Sequence, residues 1–187
     1  MAQLTGRSGK NALKREISIS VERRTAASPG AVYDVLSDLG THAVWGGVPP
    51  TKKSGLLSID APSGEATVGT EWSSTGGDPM GRFTDRSVVT QAVRPSVFEF
   101  VTEARLTTKK DATADWTNVH RYELRPDGVG CVIAYTVRIA RISALPGMLR
   151  AFNLPILSGV AIKESTKMVG RGVENLATFV EQRADAR

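Results

Sequence analysis

The chain has 187 residues, 41% of them apolar and 23% charged, enough for one sizeable core and short for two independent ones. Its one cysteine, Cys131, excludes an internal disulfide, and its most apolar window, "LPILSGVAI" over 154–162, is interrupted by Ser158 and Gly159 and is far shorter than the ~20 residues of a membrane-spanning helix. The net charge of +5 sits at the N-terminus: residues 1–24 hold six Lys/Arg against two Asp/Glu and residues 25–187 eighteen against seventeen, so the body lacks the basic stripe of a nucleic-acid surface.

The expected organisation is a flexible, solvated basic tail over residues 1–14 and a single domain over 15–187. The N-terminus has basic residues with no apolar stretch behind them to serve as a signal sequence, and a cytoplasmic protein is the simplest reading. No DNA partner and no transmembrane segment are expected. A homodimer is left open, as is a contact of the tail with RNA or an acidic membrane.

In "REISISVERR", residues 15–24, Ile17, Ile19 and Val21 alternate with Ser18, Ser20 and Glu22, the period-two signature of a strand with one buried face. "SPGAVYDVLSDLG" follows. Ser28 is placed to cap a helix and Pro29 to open it; Ala31, Val32, Val35, Leu36 and Leu39 share its apolar face, Asp34 and Asp38 its wet one, and Gly40 suits the C′ position. "THAVWGG" reads as one further helical turn. Six more strands are then expected, over 56–59, 67–74, 82–93, 97–106, 115–125 and 129–142, parted by the turn chemistry of "APSGE", "TGGDPMG", "RPS", "TKKDATA" and "RPDG". Such short connections make the sheet antiparallel. From 148 to 184 the period becomes helical, with Pro155 breaking or kinking the stretch near 153–154. Downstream, Met168, Val169, Val173, Leu176, Ala177 and Val180 form an apolar stripe. Only this last helix is long enough to cover the apolar face of a curved sheet.

This order of elements, with "VGTEWSSTGG", "RFTDRSVVTQAVRPSVFEFV" and "NVHRYELRPDGVGCVIAYTV", resembles the SRPBCC superfamily, also called START-like or Bet v 1-like, and within it the polyketide cyclase/dehydrase and lipid-transport group. The resemblance spans roughly residues 15–183. It implies an α+β helix-grip fold, a seven-stranded curved antiparallel sheet wrapped around a long C-terminal helix, with two short helices between strands one and two and an apolar cavity between sheet and helix. It carries no universal catalytic motif, and a shared fold does not choose among carriers, receptors and cyclases.

Strand parity turns Trp116, Asn118, His120, Tyr122 and Leu124 toward the helix, together with Phe98, Phe100 and Ala104, and with Cys131, Ile133, Tyr135, Val137 and Ile139. That face is unusually polar for a core. A two-residue loop at Asp127–Gly128 would set His120 directly opposite Tyr135, whereas a three-residue loop needs a bulge. His120 with Tyr135 or Tyr122 suits polarising a carbonyl or removing a proton beside one; the plainer alternative is a buried neutral imidazole held by Asn118 or a tyrosine. Trp72, by the parity of Val68 and Thr70, should point inward and Glu71 outward, because an unpaired buried carboxylate is costly. Trp45 and Trp116 read as cavity wall or packing, and Met80, in a flexible hairpin tip, as an adaptable apolar gate or an ordinary turn residue. Phe152 and Met168 complete the expected lining from the C-terminal segment.

Two histidines, His42 and His120, and one cysteine match no metal-ligand spacing, and neither a glycine-rich phosphate loop nor a Gly-x-Ser-x-Gly elbow occurs. No metal, nucleotide cofactor or hydrolase triad is expected. The leading function is binding of a hydrophobic small molecule (a lipid, polyketide or isoprenoid-like compound) in the cavity. The alternatives are a cyclase/aromatase-type enzyme using His120 and Tyr135 catalytically, without metal or nucleotide, and an interaction module for protein or RNA.

Overall fold

The computed structural model describes residues 12–46, 55–77, 81–144, 153 and 155–185. Their elements run β1 (Ile17–Thr25), α1 (Pro29–Ser37), a 3-10 turn (Leu39–Thr41), α2 (His42–Trp45), β2 (Gly55–Asp60), β3 (Glu71–Gly77), β4 (Gly81–Val93), β5 (Val97–Thr108), β6 (Thr113–Asp127), β7 (Gly130–Ile142) and α3 (Pro155–Asp185). The seven strands form one antiparallel sheet in the order β1-β7-β6-β5-β4-β3-β2. Consecutive strands from β2 to β7 are neighbours, as short connections demand, and β1 closes the far edge against β7. The curved sheet wraps around α3, which lies chiefly along β1, and α1 and α2 close one end of the grip. This is the helix-grip arrangement expected from the order of elements.

Local chemistry sets the short helices. The Ser28 hydroxyl accepts the Ala31 N–H at 3.3 Å and Pro29 opens α1, which buries Val32, Tyr33, Val35 and Leu36. Gly40 does not end this helix. The α-helical run stops at Ser37, and the Thr41 hydroxyl takes over by donating to the Val35 and Asp38 carbonyls at 2.9 and 2.8 Å, so the chain tightens into the 3-10 turn that contains Gly40.

Two further expectations are corrected. Residues 67–70 are not strand: Thr70 N–H bonds back to the Thr67 carbonyl at 2.9 Å around Gly69, whose φ of 90° only glycine adopts readily, and Val68 is 63% exposed. The β6–β7 turn is centred at Gly128 and Val129, one residue beyond the expected pair, with Gly128 in the left-handed region at φ 61°. Pro155 opens α3, in keeping with the expected break near 153–154, and at that first position its missing N–H would be an orphan anyway; residues 145–152 and 154 lie outside the described residues.

The core joins α1, the C-terminal half of α3 and the sheet's concave face. Val173, Leu176, Ala177 and Val180 are buried against Leu36, Phe98, Leu124 and Ile133. Met168 is 57% exposed instead, because at 100° per residue it falls on the side of Glu164 and Arg171. Asn153 ties the chain ahead of β1 to the body, donating to the Ala12 carbonyl at 2.8 Å and accepting the Lys14 N–H at 3.0 Å, while Leu13 N–H donates to the Ile142 carbonyl. Residues 1–11 of the expected tail lie outside the described residues. Among those described, no helix is long and apolar enough to cross a membrane.

Candidate functional site

The register arranges the inward side chains in four transverse rows. The first runs Ser74, Asp85, Ala104, Trp116 and Ile142 from β3 to β7; the second Trp72, Ser87, Thr102, Asn118 and Ile139. The third is Val89, Phe100, His120 and Val137, and the fourth Ala92, Phe98, Tyr122 and Tyr135. A bulge between Thr117 and Asn118 in the β6–β7 ladder lets Ile139 and Ile142 both face inward, although their numbers differ in parity.

Rows three and four hold an aromatic cluster. Phe100 stacks on His120 at 4.6 Å and meets Trp72 edge-on at 5.0 Å; Tyr122 stacks on Tyr135 at 4.4 Å; Tyr33 of α1 sets its ring edge-on to Phe98 at 5.9 Å. From α2, Trp45 packs edge-on to Tyr122 and donates its indole N–H to the Thr41 hydroxyl at 3.0 Å. His42, one helical turn before Trp45, is buried beside Trp72 and Phe100 and donates Nε2–H to the Leu36 carbonyl at 2.8 Å. Burial lowers its pKa from 6.5 to about 4, the Leu36 bond and Asp38 opposing only in part.

Tyr122, not His120, lies directly opposite Tyr135; His120 faces Val137 and reaches the Tyr135 hydroxyl diagonally, with Nδ1 2.7 Å from it. The pKa of His120 is lowered to about 4, first by burial and then by His42. Burial also raises Tyr122 and Tyr135, and a hydrogen bond between the two phenols raises Tyr122 further while lowering Tyr135. A chain in which Tyr122 donates to Tyr135 and Tyr135 donates to Nδ1 satisfies all three groups and leaves the His120 ring proton on Nε2. In that arrangement His120 is a neutral imidazole with its Nε2–H left to give to an acceptor, a carbonyl for example.

Rows one and two are different. Ser74 donates to Asp85 Oδ2 at 2.6 Å, and the Ser87 and Thr102 hydroxyls pair at 2.8 Å. Beside them, Trp116 Nε1 and Asn118 Oδ1 are shielded from solvent with no hydrogen-bond partner among the described residues. Trp116, Asn118 and His120 keep some accessible surface although their strand turns them inward. On the convex face Glu71, its side chain exposed as expected, pairs with Arg86, and Arg121 bonds both Glu99 and Glu123; among the described residues no buried polar side-chain atom there is left unmet.

The structure therefore brings Trp45, Trp72, Phe98, Phe100, Trp116, Asn118, His120, Tyr122 and Tyr135 onto or against one face. It does not bring Met168 there. Met80 and Phe152 lie outside the described residues. Two inward groups escape the sequence reading. Asp85 is open to it, since Phe83, Asp85, Ser87 and Val89 share one parity. His42 carries no such signal beyond its helical spacing to Trp45. A shallow groove of about 430 Å³ at the β2–β3 edge is lined by Asp60, Glu71, Ser73 and Arg86 among others and meets these rows at Trp72. Among the described residues no three His, Cys, Asp or Glu side chains converge as a metal site.

No family model matches the sequence, and no curated protein matches it. Solved structures do. The protein Mll3558 from Rhizobium loti superposes with a TM-score of 0.59 at 17% identity, over 88% of this chain and 96% of its own. SA2116, a protein of unknown function from Staphylococcus aureus, gives 0.59 at 11% identity over 92% and 98%, and TTHA0849 from Thermus thermophilus gives 0.57 at 17% identity over 89% and 99%. At such identities the likeness shows the helix-grip fold and leaves function to the site.

Proposed function

We propose that the protein binds a hydrophobic small molecule, of lipid, polyketide or isoprenoid-like character, between the concave face and α3. One observation carries the reading: Trp116 Nε1 and Asn118 Oδ1 are buried and unmet beside an aromatic floor. Folding leaves few buried polar atoms without partners, and an unmet donor next to an unmet acceptor is the complement of a ligand's polar group. The likeness of the quoted segments to the polyketide cyclase and lipid-transport group, and the fold it shares with the structures above, support the same reading. Mass spectrometry of small molecules released from the purified protein tests it. A stoichiometric hydrophobic compound is expected, lost or weakened in Asn118→Leu; a protein that neither releases a compound nor takes one up refutes it.

A second reading, a cyclase- or dehydratase-like enzyme, is favoured by the His120–Tyr135 bond. A neutral imidazole donating from Nε2 would polarise a ketone while the walls fold the chain for ring closure. A pKa of about 4 makes His120 a weak base, which favours holding a carbonyl over abstracting a proton. Turnover of a poly-ketone that survives His120→Ala unchanged would remove the catalytic reading and leave binding intact.

A further inference from the structure

Asp85 is the one acidic side chain among the described residues of the four rows. Its position between Ser87 and Phe83 in parity, and opposite Ala104, sets it on the concave side. On the convex face, acids of the same sheet stand against arginines: Glu71 with Arg86, Asp115 with Arg105, Glu99 with Arg121. Among the described residues, Asp85 has only Ser74. No Lys or Arg among the described residues pairs with it, and the groups acting on its carboxyl are burial, which pushes the pKa up, and the Ser74 hydrogen bonds, which pull it down.

A half-buried carboxylate held by one hydroxyl is an expensive thing to keep on an inner face. What relieves it is a cation that also donates hydrogen bonds. The surroundings suit one: the Ser74 hydroxyl has used its proton on Asp85 and keeps its lone pairs, Asn118 Oδ1 is an unmet acceptor in the next row, and Ala104 puts only a methyl between Asp85 and Trp116, two strands or about 10 Å across the sheet. We propose that the ligand is a cationic amphiphile, a protonated amine on a hydrophobic body, with its ammonium group held by Asp85 in the first row and its body laid along rows one and two against Trp116 and Trp72. This deepens the binding reading above and rests on it.

The test is displacement of the neutral dye N-phenyl-1-naphthylamine at pH 7 by dodecylammonium, dodecanol and dodecanoate, the two ions below their micelle concentrations and the alcohol below its solubility limit. The full-length protein is expected to prefer dodecylammonium to dodecanol by about tenfold or more, with dodecanoate weakest, as an ion pair formed away from water predicts. That order runs against the net charge of +5, which by itself favours the carboxylate. In Asp85→Asn the ammonium should fall to the level of the alcohol while dye affinity stays within about twofold, and the melting temperature should hold or rise because a buried charge has been removed. Equal binding of ammonium and alcohol, a preference for dodecanoate, or an ammonium preference that survives Asp85→Asn overturns the inference while the binding reading stands. Failure of the wild-type protein to take up the dye overturns both.

Discussion

The two ends of the concave face share one sheet and one alternation, yet they are finished in different ways. Under α1, α2 and the C-terminal half of α3, rows three and four close into an interior where Phe98, Leu36 and Leu176 are fully buried and where His42 is met by the Leu36 carbonyl, Trp45 by Thr41 and Tyr135 by His120. In rows one and two the residues turn to Ser74, Asp85, Ser87, Thr102, Trp116 and Asn118, and the hydrogen bonding stops short. Alternation dictates which side a residue faces; it does not dictate what covers it. A sequence that puts polar groups on a covered face and then leaves some without partners has given up stability there, and function is the usual reason.

The largest effect should come from cutting into the closed end. Phe98→Ala removes a fully buried ring packed edge-on to Tyr33 and should cost about 3–5 kcal/mol in urea unfolding. A loss below about 1 kcal/mol would mean that this end is loosely filled and the contrast is false.

Acid should act next. His42 and His120 both have folded pKa values near 4 against about 6.5 when unfolded, so the unfolded chain binds more protons between those limits. Stability should be at its full level above pH 6.5, fall as pH drops toward 4 and level off below, by up to about 3 kcal/mol for each imidazole. Chemical denaturation from pH 7 to 4 checks the slope. His42→Phe should remove about half of it; a flat profile across that window would show both rings titrating as if in water.

Asn118→Leu should do the reverse of Phe98→Ala, raising the stability of the ligand-free protein by about 1 kcal/mol because an unmet buried amide is replaced by a side chain of similar size. Loss of stability would mean that Asn118 is satisfied in solution and that the two ends are alike. The smallest effect, and a control away from both ends, is Ser28→Ala, which removes the α1 cap and should cost about 1 kcal/mol without altering ligand uptake.

Much of the closed end is legible from the chain itself. Alternation in "ISISV" and "NVHRYEL", the Ser28–Pro29 signal and the stripe from Val169 to Val180 each reflect a local period matched to one buried face, and each appears in the structure. Errors fall where local period gives no information. Val68 reads as strand because it shares parity with Trp72, but Gly69 takes the chain round a turn between them. Met168 reads as core because methionine is apolar, while its angle on α3 turns it to solvent. The partner of Tyr135 depends on where a turn falls, and a displacement of the loop by one residue exchanges His120 for Tyr122. For the candidate site, the inward position of Trp116, Asn118 and His120 is readable. Which of their atoms stay unmet is not, since that depends on strands far apart in sequence.

The central claim is that a ligand seats against rows one and two and leaves the closed end alone. The three tryptophans, Trp45, Trp72 and Trp116, report on it directly through their indole N–H signals in a ¹H–¹⁵N spectrum, assigned by single Trp→Phe variants. On titration with N-phenyl-1-naphthylamine, the Trp116 signal should move as its unmet N–H gains a neighbour, with Trp45, already bonded to Thr41, nearly still. A Trp116 signal that stays fixed while the dye binds, or a Trp45 signal that moves as far, would contradict the account.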